Sequence, residues 1–202
     1  MIIQGQVGAP AASSAPGSTP TARLGNLNDT IVSELHGRYY ESAYRGASFS
    51  AANQAAQAVS AALATTYTGL VLYNPPGSGV NLVPNKVKYA LSVAPAAIAP
   101  IGLISGFIST GGVTAQTTLL TVRSNLIGGA AGKGIALSAA TIITPVWLAQ
   151  LFDGFTAAAL PNPTPLVDLE GAFVIPPGGF IGIGALTAVT GLGFMSWEEV
   201  PV

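Results

Sequence analysis

The 202-residue chain contains no cysteine and a single histidine, His36. Without cysteine, disulfide bonds, thiolate zinc sites and thiol catalysis are all excluded. Any metal site would have to rest mainly on carboxylates. Stability must therefore come from the burial of apolar side chains.

Charge is also scarce, at 7% of residues against about 25% in an ordinary globular domain. Half of the residues are hydrophobic, the mean hydropathy is +0.55 and the formal net charge is -1. So little charge does little to keep separate copies apart in solution. We therefore expect protein or lipid to cover much of the surface.

The distribution of charges and apolar runs argues against nucleic-acid binding, a secretory signal and a membrane span. The seven Lys and Arg residues are scattered from Arg23 to Lys133, so they form no basic block for nucleic acid. The first 20 residues combine no basic start with an apolar stretch, so we predict no secretory signal. The 34 residues from Tyr89 to Val122 carry no charge, but two prolines and four glycines break them. A spanning helix must satisfy its own backbone, so we predict no membrane insertion.

Glycine and proline are plentiful, at 25 and 15 residues, and they separate short β-like segments. Turn signals at fairly regular intervals favour a β-sandwich or barrel over a βαβ fold. The predicted strands are 67–73, 87–93, 101–109, 116–123, 141–148, 166–175, 180–189 and 195–200. Ala51–Thr66, in contrast, is alanine-rich and has the propensity of a helix.

The uncharged stretch Phe173–Val189 reads F-V-I-P-P-G-G-F-I-G-I-G-A-L-T-A-V. Proline cannot donate to a β-ladder, and glycine permits a reversal of the backbone. We predict a hairpin here, with Ile175 and Phe180 on neighbouring strands. The isoleucines that follow would face the core, and the alternating Gly182 and Gly184 would lie close to another backbone.

The N-terminal part differs in composition from the rest. Residues 1–28 consist mainly of small polar residues, proline and alanine, with one charge, so they cannot fold alone. We interpret 1–28 as an extended arm that becomes ordered on a neighbouring subunit; a disordered tail is the alternative. Residues 29–202 are then a β-sandwich domain. Its first segment, 29–45, holds five of the fifteen charges, and Glu34, Arg38, Glu41 and Arg45 have the spacing of a helix face with ion pairs. We interpret 29–45 as a contact segment.

No motif predicts chemistry. The run Ile127–Gly134, I-G-G-A-A-G-K-G, fails a phosphate-loop pattern at two of its four defining positions and is expected to be a surface turn. On a strand, the adjacent Glu198 and Glu199 would point to opposite faces, whereas Asp168 and Glu170 would share one. No G-x-S-x-G element marks a nucleophile. We therefore predict no enzyme activity, no catalytic residues, no cofactor and no metal site.

Three blocks of the chain resemble a group of tailed-phage virion proteins. They are E-L-H-G-R-Y-Y-E-S-A-Y-R-G-A-S-F-S-A-A-N-Q-A, T-G-L-V-L-Y-N-P-P-G-S-G-V-N-L-V and the C-terminal V-I-P-P-G-G-F-I-G-I-G-A-L-T-A-V-T-G-L-G-F-M-S-W-E-E-V-P-V. The resemblance is to jelly-roll capsid decoration (cement) and head-fibre proteins, which often form trimers on the head surface. It implies an all-β, jelly-roll-like antiparallel sandwich and implies that Ala51–Thr66 is a strand. That segment therefore stays undecided between helix and strand.

These observations predict a structural virion protein located on the capsid surface, with the major capsid protein as its partner. A tail, collar or receptor-binding component of the same particle is the alternative, and a carbohydrate-binding sandwich outside a virion is the third. Between Gly46 and Phe152, 107 residues hold only four charges. We therefore expect an oligomer with an apolar, glycine-lined interface, and the resemblance implies a homotrimer.

Overall fold

A computed structural model describes residues 5–7, 22–24, 37–154 and 165–202. The chain divides into two compact units, Met1–Tyr40 and Glu41–Val202. In the first unit, β1 (Gly5–Val7) pairs in parallel with β2 (Ala22–Leu24). The remaining residues of the predicted arm, and residues 29–36 of the contact segment, lie outside the described residues.

The second unit is nearly all β. One short helix, α1 (Tyr40–Tyr44), lies at its start. Its strands are β3 (Ser48–Ala52), β4 (Gln57–Val59), β5 (Thr66–Tyr73), β6 (Val80–Leu91), β7 (Ala99–Phe107), β8 (Val113–Leu120), β9 (Arg123–Ser124), β10 (Ile135–Ile142), β11 (Val146–Gly154), β12 (Leu166–Asp168), β13 (Gly179–Ala185) and β14 (Val189–Pro201).

Two antiparallel sheets pack as a sandwich. Sheet I has the order β12-β6-β14-β3-β9, with β4 also beside β14, and sheet II has the order β11-β7-β13-β5-β10-β8. Four pairs join early strands to late ones: β3 with β14, β5 with β13, β6 with β12 and β7 with β11. These pairs alternate between the sheets, as in one long hairpin rolled up on itself. This is jelly-roll topology, with β8–β10 inserted between β7 and β11. The predicted fold class is confirmed.

Sheet II buries apolar side chains on both of its faces. Ile181 and Ile183 of β13 belong to the core between the sheets, which contains Trp197. The alternating Phe180 belongs to a second cluster, together with Val71. Successive residues of a strand point to opposite faces, so the two clusters lie on opposite sides of the sheet. This explains why β13 is buried along its whole length.

The Pro-Pro-Gly-Gly segment is not a hairpin, so that prediction was wrong. Ile175 bridges to Leu82 in sheet I, whereas Phe180 pairs with Tyr73 in sheet II. The segment therefore carries the chain from one sheet to the other. Asn74 holds this crossover: its Nδ2 donates to the Ile175 carbonyl oxygen at 2.9 Å, and its backbone carbonyl accepts from Gly178 N at 2.7 Å. The prolines and glycines correctly indicated a change of chain direction, but they did not indicate which strands lie on either side of it.

Ala51–Thr66 is not a helix. Its start belongs to β3 and its middle forms β4, so the helical propensity of alanine gives a wrong prediction here. Phe49 and Ala51 are buried at alternate positions of β3, which pairs with β14. Long-range pairing and burial override local propensity.

Two further expectations need correction. The predicted strand 141–148 spans the end of β10 and the start of β11, with a turn between them in which Thr144 has a φ of 43°. The helix described in the contact segment is limited to Tyr40–Tyr44. Arg38 and Arg45 therefore lie outside it, and a helix face running from Arg38 to Arg45 is not formed. The Arg38 guanidinium instead lies 5.5 Å from the centre of the Tyr39 ring.

Candidate interaction surface

The strand β11 lies at one edge of sheet II and exposes its apolar side chains. Its only neighbour among the described residues is β7. Val146, Trp147 and Leu148 are 55%, 41% and 38% exposed. Solitary exposed apolar residues are ordinary, but contiguous ones mark contact sites. Three consecutive apolar residues on an unpaired edge are therefore a candidate site for protein contact.

A groove runs along this edge. We call it the β11 groove; it has a volume of about 330 Å³. It is lined by Pro100, Ile101, Gly102, Trp147, Leu148, Ala149, Gln150 and Leu186. None of these residues is charged. A second cavity of about 420 Å³ shares Leu148 with the groove and includes Phe107 and Val174, which are 55% and 56% exposed. The exposed apolar surface thus continues from the groove into this second cavity.

Two facing glycines lie beneath β11, and one of them, Gly102, also lines the β11 groove. Gly184 of β13 pairs with Gly102 of β7. A Cβ at Gly184 would lie 3.1 Å from the Trp147 ring, and a Cβ at Gly102 would meet the backbone oxygen of Ala149. The missing side chains let β11 and its indole lie close to the sheet. The glycine face of β13 therefore meets side chains, rather than the backbone that we expected.

The loop between β9 and β10 is the second exposed apolar feature. Leu126 and Ile127 are 41% and 92% exposed. Gly129 N donates to the Leu126 carbonyl at 2.7 Å, and Gly128 has a φ of 86°, as at the third position of a type II turn. Ile127 therefore stands at the apex of a tight turn. We call Leu126–Gly128 the Ile127 tip.

A buried carboxylate holds the end of this loop. Glu199 is 9% exposed, and its oxygens accept from Lys133 N at 2.8 and 2.9 Å and from Gly134 N at 2.8 Å. Trp197 Nε1 donates to the same carboxylate at 3.3 Å. Glycine at position 132 allows the approach, because a Cβ there would lie 2.7 Å from Glu199 Oε1. The glycine-rich run Ile127–Gly134 thus donates backbone hydrogen bonds to a carboxylate of the same chain.

The other acidic residues considered from the sequence do not assemble into a site. Glu198 is half-buried beside the buried Glu199, as expected for opposite faces of a strand. Glu170 does not share a strand face with Asp168, because β12 ends at Asp168 and Glu170 follows in a turn with a φ of 52°. Asp168 Oδ1 accepts from the backbone N of Glu170 at 3.0 Å. Within the described ranges, no three His, Asp or Glu residues cluster as metal ligands. His36 lies outside those ranges.

Within the described ranges, the pKa values of two tyrosines depart furthest from their ordinary value. Tyr67 is buried, and its hydroxyl has one proton to donate and two carbonyl oxygens in reach, that of Ile183 at 2.6 Å and that of Leu70 at 3.0 Å. Burial raises the pKa of Tyr67, and that of Tyr89, well above the ordinary value of 10.0. Tyr89 packs in the core between the sheets and Tyr67 in the second cluster, and neither lines an exposed surface. Their role is structural.

Searches against protein families, characterised proteins and solved structures give no match to this chain. No helix in the parts that the structure describes is both long and apolar enough to cross a membrane. The fold and the surface define a jelly-roll β-sandwich with an exposed apolar stretch on its edge strand β11.

Proposed function

We propose that this chain is a structural virion protein: a capsid decoration (cement) protein that binds the major capsid protein on the capsid surface as a homotrimer. The observation that carries the proposal is the exposed apolar edge strand β11 on a jelly-roll sandwich with little charge. The resemblance of the three sequence blocks to tailed-phage virion proteins supports the choice of particle. No catalytic residue, cofactor, metal or nucleic acid is part of the proposal.

The exposed side chains support self-association. Trp147 and Leu148 on β11, Phe107 on β7 and Ile127 in the β9–β10 loop are all more than a third exposed in the single chain. A closed oligomer would remove such groups from water, at about 25 cal/mol for each Å² of apolar area. Obligate interfaces bury on the order of 2,000–5,000 Å². Burial argues for an oligomer, and the three-fold symmetry rests on the sequence resemblance.

The number of copies per purified particle tests this function. A decoration protein is present in very many copies per head, whereas most tail or collar components are present in a handful. Quantitative mass spectrometry of particles, calibrated on the major capsid protein, gives the ratio. A handful of copies would favour the tail or collar alternative, and absence from particles would refute both.

A further inference from the structure

We propose that the Ile127 tip of one copy docks into the β11 groove of a second copy, so that the subunits associate head to tail. This inference rests on the proposed homo-oligomer and names the two surfaces that meet in it. The occupant of the groove is thus a second copy of this chain.

The tip has the properties of a preformed contact. Ile127 is 92% exposed at the apex of a tight turn. The loop is anchored at its start by Asn125, whose N donates to the Ser48 carbonyl at 2.9 Å and whose Nδ2 donates to Ser48 Oγ at 2.6 Å. Glu199 anchors its end through Lys133 N and Gly134 N. Such a loop loses little conformational freedom on binding, which favours association.

The groove is complementary to the tip in chemistry. Its lining is uncharged and includes Trp147, Leu148 and Leu186, all of which are more than a third exposed. Its volume of about 330 Å³ leaves room for an aliphatic side chain. The charges beside the two surfaces are also opposite in sign: Arg123 and Lys133 flank the tip, whereas Asp153 is the only charge on β11. Electrostatic complementarity of this kind fixes orientation more than affinity.

The two surfaces do not meet within one chain, because Ile127 is 92% exposed and is not among the residues that line the groove. The strand that follows the tip, β10, lies four strand spacings from β11 in sheet II. At about 4.8 Å per spacing this is about 19 Å. We therefore place the contact between copies, each of which presents one tip and one groove. Such a heterologous contact closes into a ring where the rotation permits, which is compatible with a trimer.

Complementation between two variants tests the contact. Ile127→Asp removes the tip, and Leu148→Asp introduces a charge into the groove. Each variant alone is expected to associate at least about 30-fold more weakly than the wild type, the loss that marks a hot spot. An equimolar mixture is expected to form dimers, because the intact tip of the second variant fits the intact groove of the first. Sedimentation velocity at micromolar concentration separates monomer, dimer and trimer.

The matched control is Leu192→Asp, since Leu192 is 40% exposed, close to the 38% of Leu148, but lies on the central strand β14 of sheet I. This variant should associate like the wild type. Because the chain has no cysteine, Ile127→Cys mixed with Leu148→Cys gives a second readout that does not depend on weakening the contact. Oxidation should link these two chains and should not link Ile127→Cys to Leu192→Cys.

The outcomes separate this contact from the proposed function. A trimeric wild type with an unaffected Ile127→Asp variant and no cross-link would overturn the contact and leave the trimer. A monomeric wild type would overturn both. Complementation in a protein that is absent from particles would support the contact and refute the capsid role.

Discussion

The carboxylate of Glu199 should contribute several kcal/mol to the free energy of unfolding of the sandwich. Its oxygens accept from Lys133 N, Gly134 N and Trp197 Nε1. Glu199→Ala would leave these three donors without their acceptor. A buried donor left unsatisfied costs about 1–3 kcal/mol. Water can reach part of the site, because Glu199 is 9% exposed. We therefore expect the free energy of unfolding to fall by about 2–4 kcal/mol.

Glu199→Gln should lie between the wild type and Glu199→Ala. Oε1 accepts from all three donors, whereas Oε2 accepts only from Lys133 N. A glutamine oxygen in the place of Oε1 can keep these contacts, but it loses the charge that makes such hydrogen bonds about twice as strong as neutral ones. We expect about half of the loss seen with alanine.

Thermal unfolding at a fixed protein concentration measures these changes. For a chain of this size, 1 kcal/mol corresponds to about 2–4 °C in Tm, so Glu199→Ala should lower Tm by about 4–16 °C. Hydrogen exchange at the amides of Lys133 and Gly134 should accelerate in the same variant. Glu198→Ala is the control, since Glu198 is the half-buried neighbour on the opposite face of β14. Glu199→Ala within about 0.5 kcal/mol of the wild type, with both amides still protected, would refute the reasoning.

Three further results are expected. Gly178→Ala should destabilise the fold by at least about 2 kcal/mol more than Gly77→Ala. Both glycines have positive φ, but a Cβ at position 178 would strike a backbone carbonyl oxygen, whereas a Cβ at position 77 would meet open space. Denaturant titration of both variants measures the difference. Because the pKa values of Tyr67 and Tyr89 are raised in the folded state, the unfolded chain releases these two protons first as pH rises. The free energy of unfolding should therefore be unaffected by these groups below pH 10 and should fall progressively above it. Above pH 10 each tyrosine should lower the free energy of unfolding by about 1.4 kcal/mol per pH unit. Tyr89→Phe should remove the contribution of one tyrosine, as measured by urea titrations from pH 9 to 11. The same pH dependence in this variant as in the wild type would contradict the assignment. Deleting residues 2–22 should weaken attachment to capsids and leave the thermal transition of the sandwich nearly unchanged, and wild-type occupancy on particles would refute the arm hypothesis.

The exposed surface could be anticipated only in part from the sequence. The shortage of charge predicted apolar residues on the outside, and the structure describes them on β11 and in the β9–β10 loop. The sequence did not indicate that Trp147 lies on an edge strand while Trp197 lies fully buried in the core. Both lie in apolar or terminal segments of similar appearance. Only the order of strands in the sheets distinguishes them.

The role of Glu199 was also beyond reach of the sequence. Its alternation with Glu198 predicted opposite faces, and the glycine-rich run Ile127–Gly134 was recognised as a turn. Nothing local connects the two, because the carboxylate and the amides that it binds lie 65 and 66 residues apart in the chain. A strand at one end of the domain and a loop in its middle meet only after the hairpin has rolled up.

The amino-acid sequence by itself determined the β class, the positions of most turns and the shortage of charge, since these follow from local propensity, turn chemistry and composition. Tertiary structure alone decided that Ala51–Thr66 contributes strands, that the Pro-Pro-Gly-Gly segment crosses between sheets and that β11 is an edge. The physical reason is that a strand obtains its hydrogen bonds from a partner distant in the chain. Which partner it takes depends on burial over the whole domain, and no short stretch of residues contains that information.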